Sequence, residues 1–136
     1  MANTRAEDCN RQNPISFVAD YDLADFVDNS NTIKIALPVG AVIQRGSVTL
    51  LNNANTTGTD VLDVGYTGAL EAYKADINLK GTDGTVTALV PTGYKHLATT
   101  SDLILTRAAA DTAATAMEIR VEFTYVVMGK GDLTQD

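Results

Sequence analysis

The amino-acid sequence predicts an all-β fold, an antiparallel β-sandwich of about eight strands. Between two polar ends, the chain is a series of short apolar runs separated by turn residues. Valine, isoleucine and threonine are frequent in these runs, and such residues fit a pleated sheet better than a helix. With 136 residues the chain has the length of one domain, which can bury a core without disulfide bonds.

The last apolar run has the strictest pattern. One face would carry Met117, Ile119, Val121, Phe123, Tyr125 and Val127, and the other Glu118, Arg120, Glu122 and Thr124. Alternation with period two predicts a half-buried antiparallel strand over 116–128. At about 3.4 Å per residue it would be about 40 Å long, so we expect it to bend or to project at one end toward a neighbouring subunit.

The earlier runs predict further strands in chain order. They lie near 15–21, 33–37, 41–52, 60–64, 70–73, 77–79, 86–90 and 103–105. Pro38 would end the second strand, and Arg45-Gly46 would bend the third. Gly81-Thr82-Asp83-Gly84 predicts a hairpin between the runs at 77–79 and 86–90, because Asp-Gly supplies the positive φ of tight turns. A helical turn is expected at Leu23, Phe26 and Val27, while 107–116 is compatible with a loop or a helix.

We therefore predict a polar N-terminal arm over 1–13, a β-sandwich domain over 14–128 and a polar tail over 129–136. The first residues do not resemble a signal peptide, and no apolar run is long enough for a membrane span. The single cysteine, Cys9, permits neither an intramolecular disulfide nor a cysteine metal cluster, which fits synthesis in a reducing cytoplasm. The formal net charge of −7 argues against nucleic-acid binding and against an anionic membrane surface.

No catalytic or cofactor-binding pattern is recognisable, and the sequence does not indicate an enzyme. His96, the only histidine, lies in a loop-like stretch where we expect it at the surface, and no nucleophile motif accompanies it. Glu118 and Glu122 would stand about 13 Å apart on one strand, too far for a glycosidase carboxylate pair. Asp20 and Asp22, about 7 Å apart, have a tolerable spacing, but no aromatic sugar platform is evident nearby.

The densest acidic cluster consists of Asp20, Asp22, Asp25 and Asp28. Oxygen ligands at close spacing suit calcium, although this spacing is not that of an EF-hand loop. The alternative is a solvated passage from a strand into the turn Asp28-Asn29-Ser30-Asn31. The sequence favours this second interpretation and predicts no metal or cofactor, but it leaves cation binding by the cluster open.

Several segments together resemble a known family. They are IALPVGAVI at 35–43 followed by VTLL at 48–51, VLDVGY at 61–66 followed by LEAY at 70–73, and EIRVEFTYV at 118–126. Over residues 14–128 the chain is similar to the jelly-roll cement (decoration) proteins of tailed bacteriophages. The resemblance implies a jelly-roll domain on the outside of an icosahedral capsid, where it bridges major capsid protein subunits and self-associates as a homodimer or homotrimer, without catalysis.

Two other functions stay open at this point. One is another phage structural part, a head fibre or a tail component. The other is a carbohydrate-binding module, which would require Tyr66, Tyr73 and Tyr94 to lie coplanar on one open face. For the favoured function, the candidate subunit contacts are Arg5 and Arg11 in the arm and Glu118, Arg120 and Glu122 on the last strand.

Overall fold

The computed structural model describes residues 13–97, 102–109 and 114–128. One short helix and a series of strands follow each other along these residues. They are β1 (Ile15–Asp22), α1 (Leu23–Asp28), β2 (Thr32–Ala36), β3 (Ala41–Asn52), β4 (Asp60–Tyr66), β5 (Ala69–Asn78), β6 (Val86–Ala88), β7 (Asp102–Ala109) and β8 (Glu118–Val127). The all-β prediction is confirmed. Of the segment 107–116, for which a loop or a helix was expected, residues 107–109 belong to β7 instead.

The strands form two four-stranded sheets. Sheet A has the order β1-β8-β3-β6 and sheet B has the order β2-β7-β4-β5, with every pairing antiparallel. Strands that follow each other in sequence therefore often lie in opposite sheets, which is the arrangement of an eight-stranded jelly roll. The core lies between the two sheets and is built from alternate residues of each strand, including Ile43, Leu62, Leu103, Leu105 and Ile119.

Helix α1 connects one edge of sheet A to one edge of sheet B. Asp22 caps it by accepting a hydrogen bond from the Asp25 amide, while the Asp25 carboxylate accepts one from the Asp22 amide. This reciprocal capping box fixes the first turn, and the helix buries Phe26 completely. The helix is followed by Ser30 and Asn31, both with positive φ, so the predicted helical turn and the predicted tight turn after it are confirmed.

The last strand is two residues shorter at its start and one shorter at its end than predicted, and it lies inside sheet A. Its residues 118–125 pair with β1 on one side, and 118–127 pair with β3 on the other. Over residues 118–125 both edges of the strand pair within the chain, so the strand does not project from sheet A there, whereas 126–127 pair with β3 alone. A contact of this end with a neighbouring subunit stays a prediction. The length is accommodated by register shifts in β3, one of them between Ile43 and Arg45, next to the bend predicted from Arg45-Gly46.

The predicted hairpin around Gly81-Thr82-Asp83-Gly84 is wrong as a pairing. Ile77 belongs to β5 and faces Leu62 in sheet B, whereas Val86 belongs to β6 and faces Thr49 in sheet A. The turn itself exists, with Gly84 at φ +90°. It carries the chain from sheet B to sheet A, where Leu89 after β6 is buried while Val86 and Val90 are exposed.

Candidate interaction surfaces

The outward face of sheet A contains the candidate contact residues of the last strand. Glu118, Arg120 and Glu122 are all exposed there, opposite Asp22, Asp20 and Val18 of β1 respectively. Residues that face each other in an antiparallel pair point to the same side of the sheet. We call this surface the A face; its charged side chains include Asp20, Asp22, Arg45, Glu118, Arg120 and Glu122, together with Lys95, which faces Val42 on β3. Its four carboxylates thus exceed its three basic groups by one.

Arg120 is held by a two-pronged ion pair on the A face. Its Nε and Nη2 donate to the two carboxylate oxygens of Asp20 at 2.8 and 3.0 Å. The hydrogen bond from Arg120 lowers the pKa of Asp20 below its ordinary value. Both side chains are nearly half exposed, so solvent screens the pair and it contributes little to stability.

Glu122 forms a wall of a small hollow at the bulge of β3. Ser47 Oγ donates to its carboxylate at 3.2 Å, and the hollow of about 290 Å³ is bounded on its other sides by Val18, Arg45 and Phe123, among others. Glu118 lies near the opposite end of the strand, beside α1. The three β8 candidates thus share one face, but each has a different immediate environment, and together they form a flat contact area rather than a single pocket. Arg5 and Arg11 lie outside the described residues.

The acidic cluster divides among three structural roles. Asp20 pairs with Arg120, Asp22 and Asp25 cap α1, and Asp28 is the last residue of that helix. Within residues 13–97, 102–109 and 114–128 no group of three or more His, Cys, Asp and Glu side chains is placed to hold a metal ion. The interpretation as a solvated passage from strand to turn accounts for these contacts.

A compact aromatic cluster lies at one end of the sandwich, and it corrects the prediction for His96. This histidine is completely buried, with its Nε2 2.8 Å from the Tyr73 hydroxyl. Tyr66 and Tyr94 stack at 3.8 Å with nearly parallel rings, and both meet His96 edge to face. Burial raises the pKa of Tyr73 to about 12.

This geometry does not provide the coplanar, open tyrosine platform that a carbohydrate-binding module would need. Tyr73 is only 1% exposed, and its ring is turned 68° from that of Tyr66. Tyr66 and Tyr94 cover each other's faces, so one face of each ring is already occupied. The cluster closes the end of the core; sequence reasoning missed this because no local pattern shows that 66, 73, 94 and 96 converge.

The outward face of sheet B has a wide, shallow depression of about 840 Å³. Its floor includes Ile104, which faces Lys34 on β2 and Gly65 on β4. Only a glycine fits at position 65, because a Cβ there would lie 2.1 Å from the Ala69 carbonyl oxygen. The start of β5 therefore folds closely over β4, and Leu70 stands 44% exposed at the rim.

Comparisons with solved structures give two likenesses in fold. A chain of the structure described as "Cyanophage Pam1 capsid asymmetric unit" matches with a TM-score of 0.68 and 18% identity, covering 93% of this chain and 91% of that one. A chain of the "Acidic stable capsid structure of Helicobacter pylori bacteriophage KHP30" matches with a TM-score of 0.54 and 16% identity, covering 84% and 91%. No protein-family model and no curated protein matches the sequence. The shared fold therefore extends over nearly the whole chain.

Among the residues with described structure, no helix is long and apolar enough to cross a membrane.

Proposed function

We propose that this chain is a structural protein of a phage virion, a cement or decoration protein that binds the outer capsid surface and bridges major capsid protein subunits. The observation that carries the proposal is the fold likeness to a phage capsid chain over 93% of this sequence. A match of that extent concerns the whole jelly roll and its strand order, not a local motif. The sequence segments that resemble cement proteins support the same function independently.

The A face supports an electrostatic mode of attachment. Its carboxylates outnumber its basic groups, and the whole chain has a formal net charge of −7, so a basic area on the capsid would complement it. Glu118 and Glu122 are exposed beside Arg120 on β8. Within the described residues neither forms a close ion pair such as that of Asp20 with Arg120, so their charge can meet a partner. A cement protein stabilises the assembled capsid by mass action, because it adds an interface that only the assembled state offers.

The first experiment compares complete particles with particles assembled without this protein. We expect the depleted particles to release their DNA at a lower temperature, and we expect added protein to restore the original temperature. Equal thermal resistance of the two particles would contradict the cement function. A head fibre or tail component, the alternative from the same virion, would be found by electron microscopy at a vertex or on the tail instead of over the capsid surface.

The second experiment tests the A face with a matched control. The variant Glu118→Lys reverses one exposed charge on sheet A, and Glu71→Lys reverses one exposed charge on β5 of sheet B, so both change the net charge by the same amount. We expect the A-face variant to bind depleted capsids at least about tenfold more weakly, because charge reversal places like charges opposite a basic surface. The Glu71 variant should bind like the unaltered chain. Equal loss in both variants would show that the total charge, and not the A face, determines binding.

A further inference from the structure

The four sheet edges of this sandwich are not equally protected against pairing with another strand. β6 has only three residues, and β2 has five with an exposed lysine at its middle. β5 is interrupted by two register irregularities and by a positive φ at Asp76, and the Tyr73 carbonyl accepts a hydrogen bond from the Val90 amide. Short length, charge, irregularity and coverage are the usual means by which proteins block edge pairing.

Within the described residues, the edge formed by β1 is long and regular, and its one central charge, Asp20, is paired with Arg120 of the same chain. It runs for eight residues in unbroken register with β8, and it contains no lysine, proline or glycine. Its exposed apolar side chains are Ile15 and Val18, at 46% and 58%, while Phe17 and Tyr21 are half-buried against the core. A long, regular and apolar edge of this kind is a template for an added strand.

The hydrogen-bond pattern shows which backbone groups point out of this edge. The Leu23 amide donates to the Met117 carbonyl at 2.9 Å, one step beyond the pairing of Asp22 with Glu118. Because hydrogen-bonded and non-bonded pairs alternate in an antiparallel ladder, the odd-numbered residues of β1 bond to β8. The amides and carbonyls of Ser16, Val18 and Asp20 therefore point to the open side. The Asp22 amide, next in this series, is already bonded to the Asp25 carboxylate, so α1 terminates the open stretch.

We propose that the β1 edge is a dimer interface, at which β1 of a second copy of this chain pairs antiparallel about a twofold axis through Val18. The two A sheets then form one continuous eight-stranded sheet. This inference names the surface for the self-association included in the proposed function, but its physical basis is the edge itself. A twofold axis requires a self-complementary surface, and the outward groups of β1 satisfy this requirement in one register.

The charges select that register and favour a second copy as the partner. With Val18 facing Val18 of the partner subunit, Ser16 faces the partner's Asp20, so a hydroxyl donor meets a carboxylate. On the inner face, Phe17 faces the partner's Ala19 and Ile15 faces the partner's Tyr21, which are apolar pairs of the kind that stabilise sheets. A shift by two residues toward the helix would place Asp20 against Asp20 of the partner subunit, and like charges directly opposite are destabilising. Asp20 is in addition neutralised by Arg120 within its own chain.

The test measures the mass of the full-length chain by sedimentation over a concentration series. The unaltered chain should be a dimer. Val18→Lys places two ammonium groups opposite each other at the axis, and we expect its dimer dissociation constant to rise at least about tenfold. Val86→Lys is the matched control, since Val86 lies on the opposite edge of sheet A and is similarly exposed, at 61%. Circular dichroism would confirm that each variant folds, as expected for exposed positions.

A mixing experiment tests the register. Val18→Lys and Val18→Glu should each be largely monomeric, and an equimolar mixture should form the heterodimer, because Lys and Glu then face each other at the axis. The inference is overturned by a monomeric unaltered chain, by a Val18→Lys chain that dimerises normally, or by a mixture that stays monomeric. A monomeric chain that still binds depleted capsids would overturn this inference alone. A dimer that fails to bind them would overturn the proposed function alone.

Discussion

In the part of the chain that the structure describes, two Arg–Asp ion pairs share the same two-pronged geometry in opposite environments, and this contrast gives a sharp stability prediction. Arg107 donates through Nε and Nη2 to Asp60 at 2.8 and 2.5 Å, and the two residues are only 6% and 1% exposed. Thr56 Oγ1 donates to the same carboxylate at 2.7 Å. The second pair, Arg120 with Asp20, lies in solvent on the A face.

Asp60→Ala leaves the guanidinium of Arg107 buried without its counter-charge. Breaking a buried pair in this way costs about 3–5 kcal/mol, because the remaining charge stays desolvated. Asp20→Ala removes the same geometry from an exposed site where solvent screens both charges, so its cost should be much smaller. Since a domain of this size has a total stability of about 5–15 kcal/mol, the first variant should be close to marginal and the second nearly unaffected.

Urea unfolding followed by far-ultraviolet circular dichroism measures both free energies. The two variants should differ by about 3 kcal/mol or more, and the Asp20 effect alone should shrink at high salt. The double variant Asp60→Leu, Arg107→Met should recover most of the loss, since apolar replacement of a whole buried pair is often neutral or stabilising. If Asp60→Ala costs no more than Asp20→Ala, burial is not what makes the inner pair important, and the reasoning fails.

Two further predictions concern the β4–β5 contact and the aromatic cluster. Gly65→Ala should destabilise the fold by about 1–3 kcal/mol or more, because its Cβ would meet backbone atoms of Ala69 and Leu70 at 2.1 and 2.4 Å. Gly81→Ala is the control, because its Cβ would meet the nearest atoms only at 3.8 Å. We expect it to change the unfolding free energy by only about 0.5 kcal/mol. Tyr73→Phe removes the buried bond to His96 and should cost about 1–3 kcal/mol in urea unfolding. Since the folded-state pKa of Tyr73 is raised to about 12 from an ordinary 10, its contribution is fully present below pH 10 and is lost as the pH rises through about 12. Ultraviolet absorbance titration should show this late ionisation in the unaltered chain and not in Tyr73→Phe; an unchanged titration curve would contradict the assignment.

Local patterns were sufficient to predict most strands and the helix but not their partners, and the two runs predicted near 70–73 and 77–79 form the single strand β5. Alternation identified β8 and its buried face, whereas the capping role of Asp22 and Asp25 emerged only from the structure. The pairing of β5 and β6 could not be read locally, because a turn with Asp-Gly serves a hairpin and a crossing between sheets equally well. Whether the turn makes a hairpin or a crossing depends on whether the strands on either side of it lie in the same sheet. Ile77 of β5 packs into the core from sheet B, and Val48, which neighbours β6, packs from sheet A. That placement is decided by all eight strands together.

The candidate interaction surfaces, too, were only partly predictable from local patterns. The A face followed directly from the period of β8, since its polar residues had to point away from the core. The burial of His96 did not follow, because the partners that enclose it come from β4, β5 and the segment after β6. Likewise, the open edge of β1 depends on the strand order, and no property of residues 15–22 alone indicates that they lie at an edge.

The position of β8 has a consequence for how the chain folds. β8 is the last of the described strands, yet it occupies an inner place in sheet A, where it joins β1 to β3. During synthesis, β1 and β3 are complete long before the strand that must lie between them. β3 and β6 pair directly, but β1 cannot join them in sheet A until β8 has emerged. That step is dominated by contacts between distant parts of the chain, which makes folding slow. Until then the β1 edge does not exist in its final form, so the proposed self-association can only follow that step.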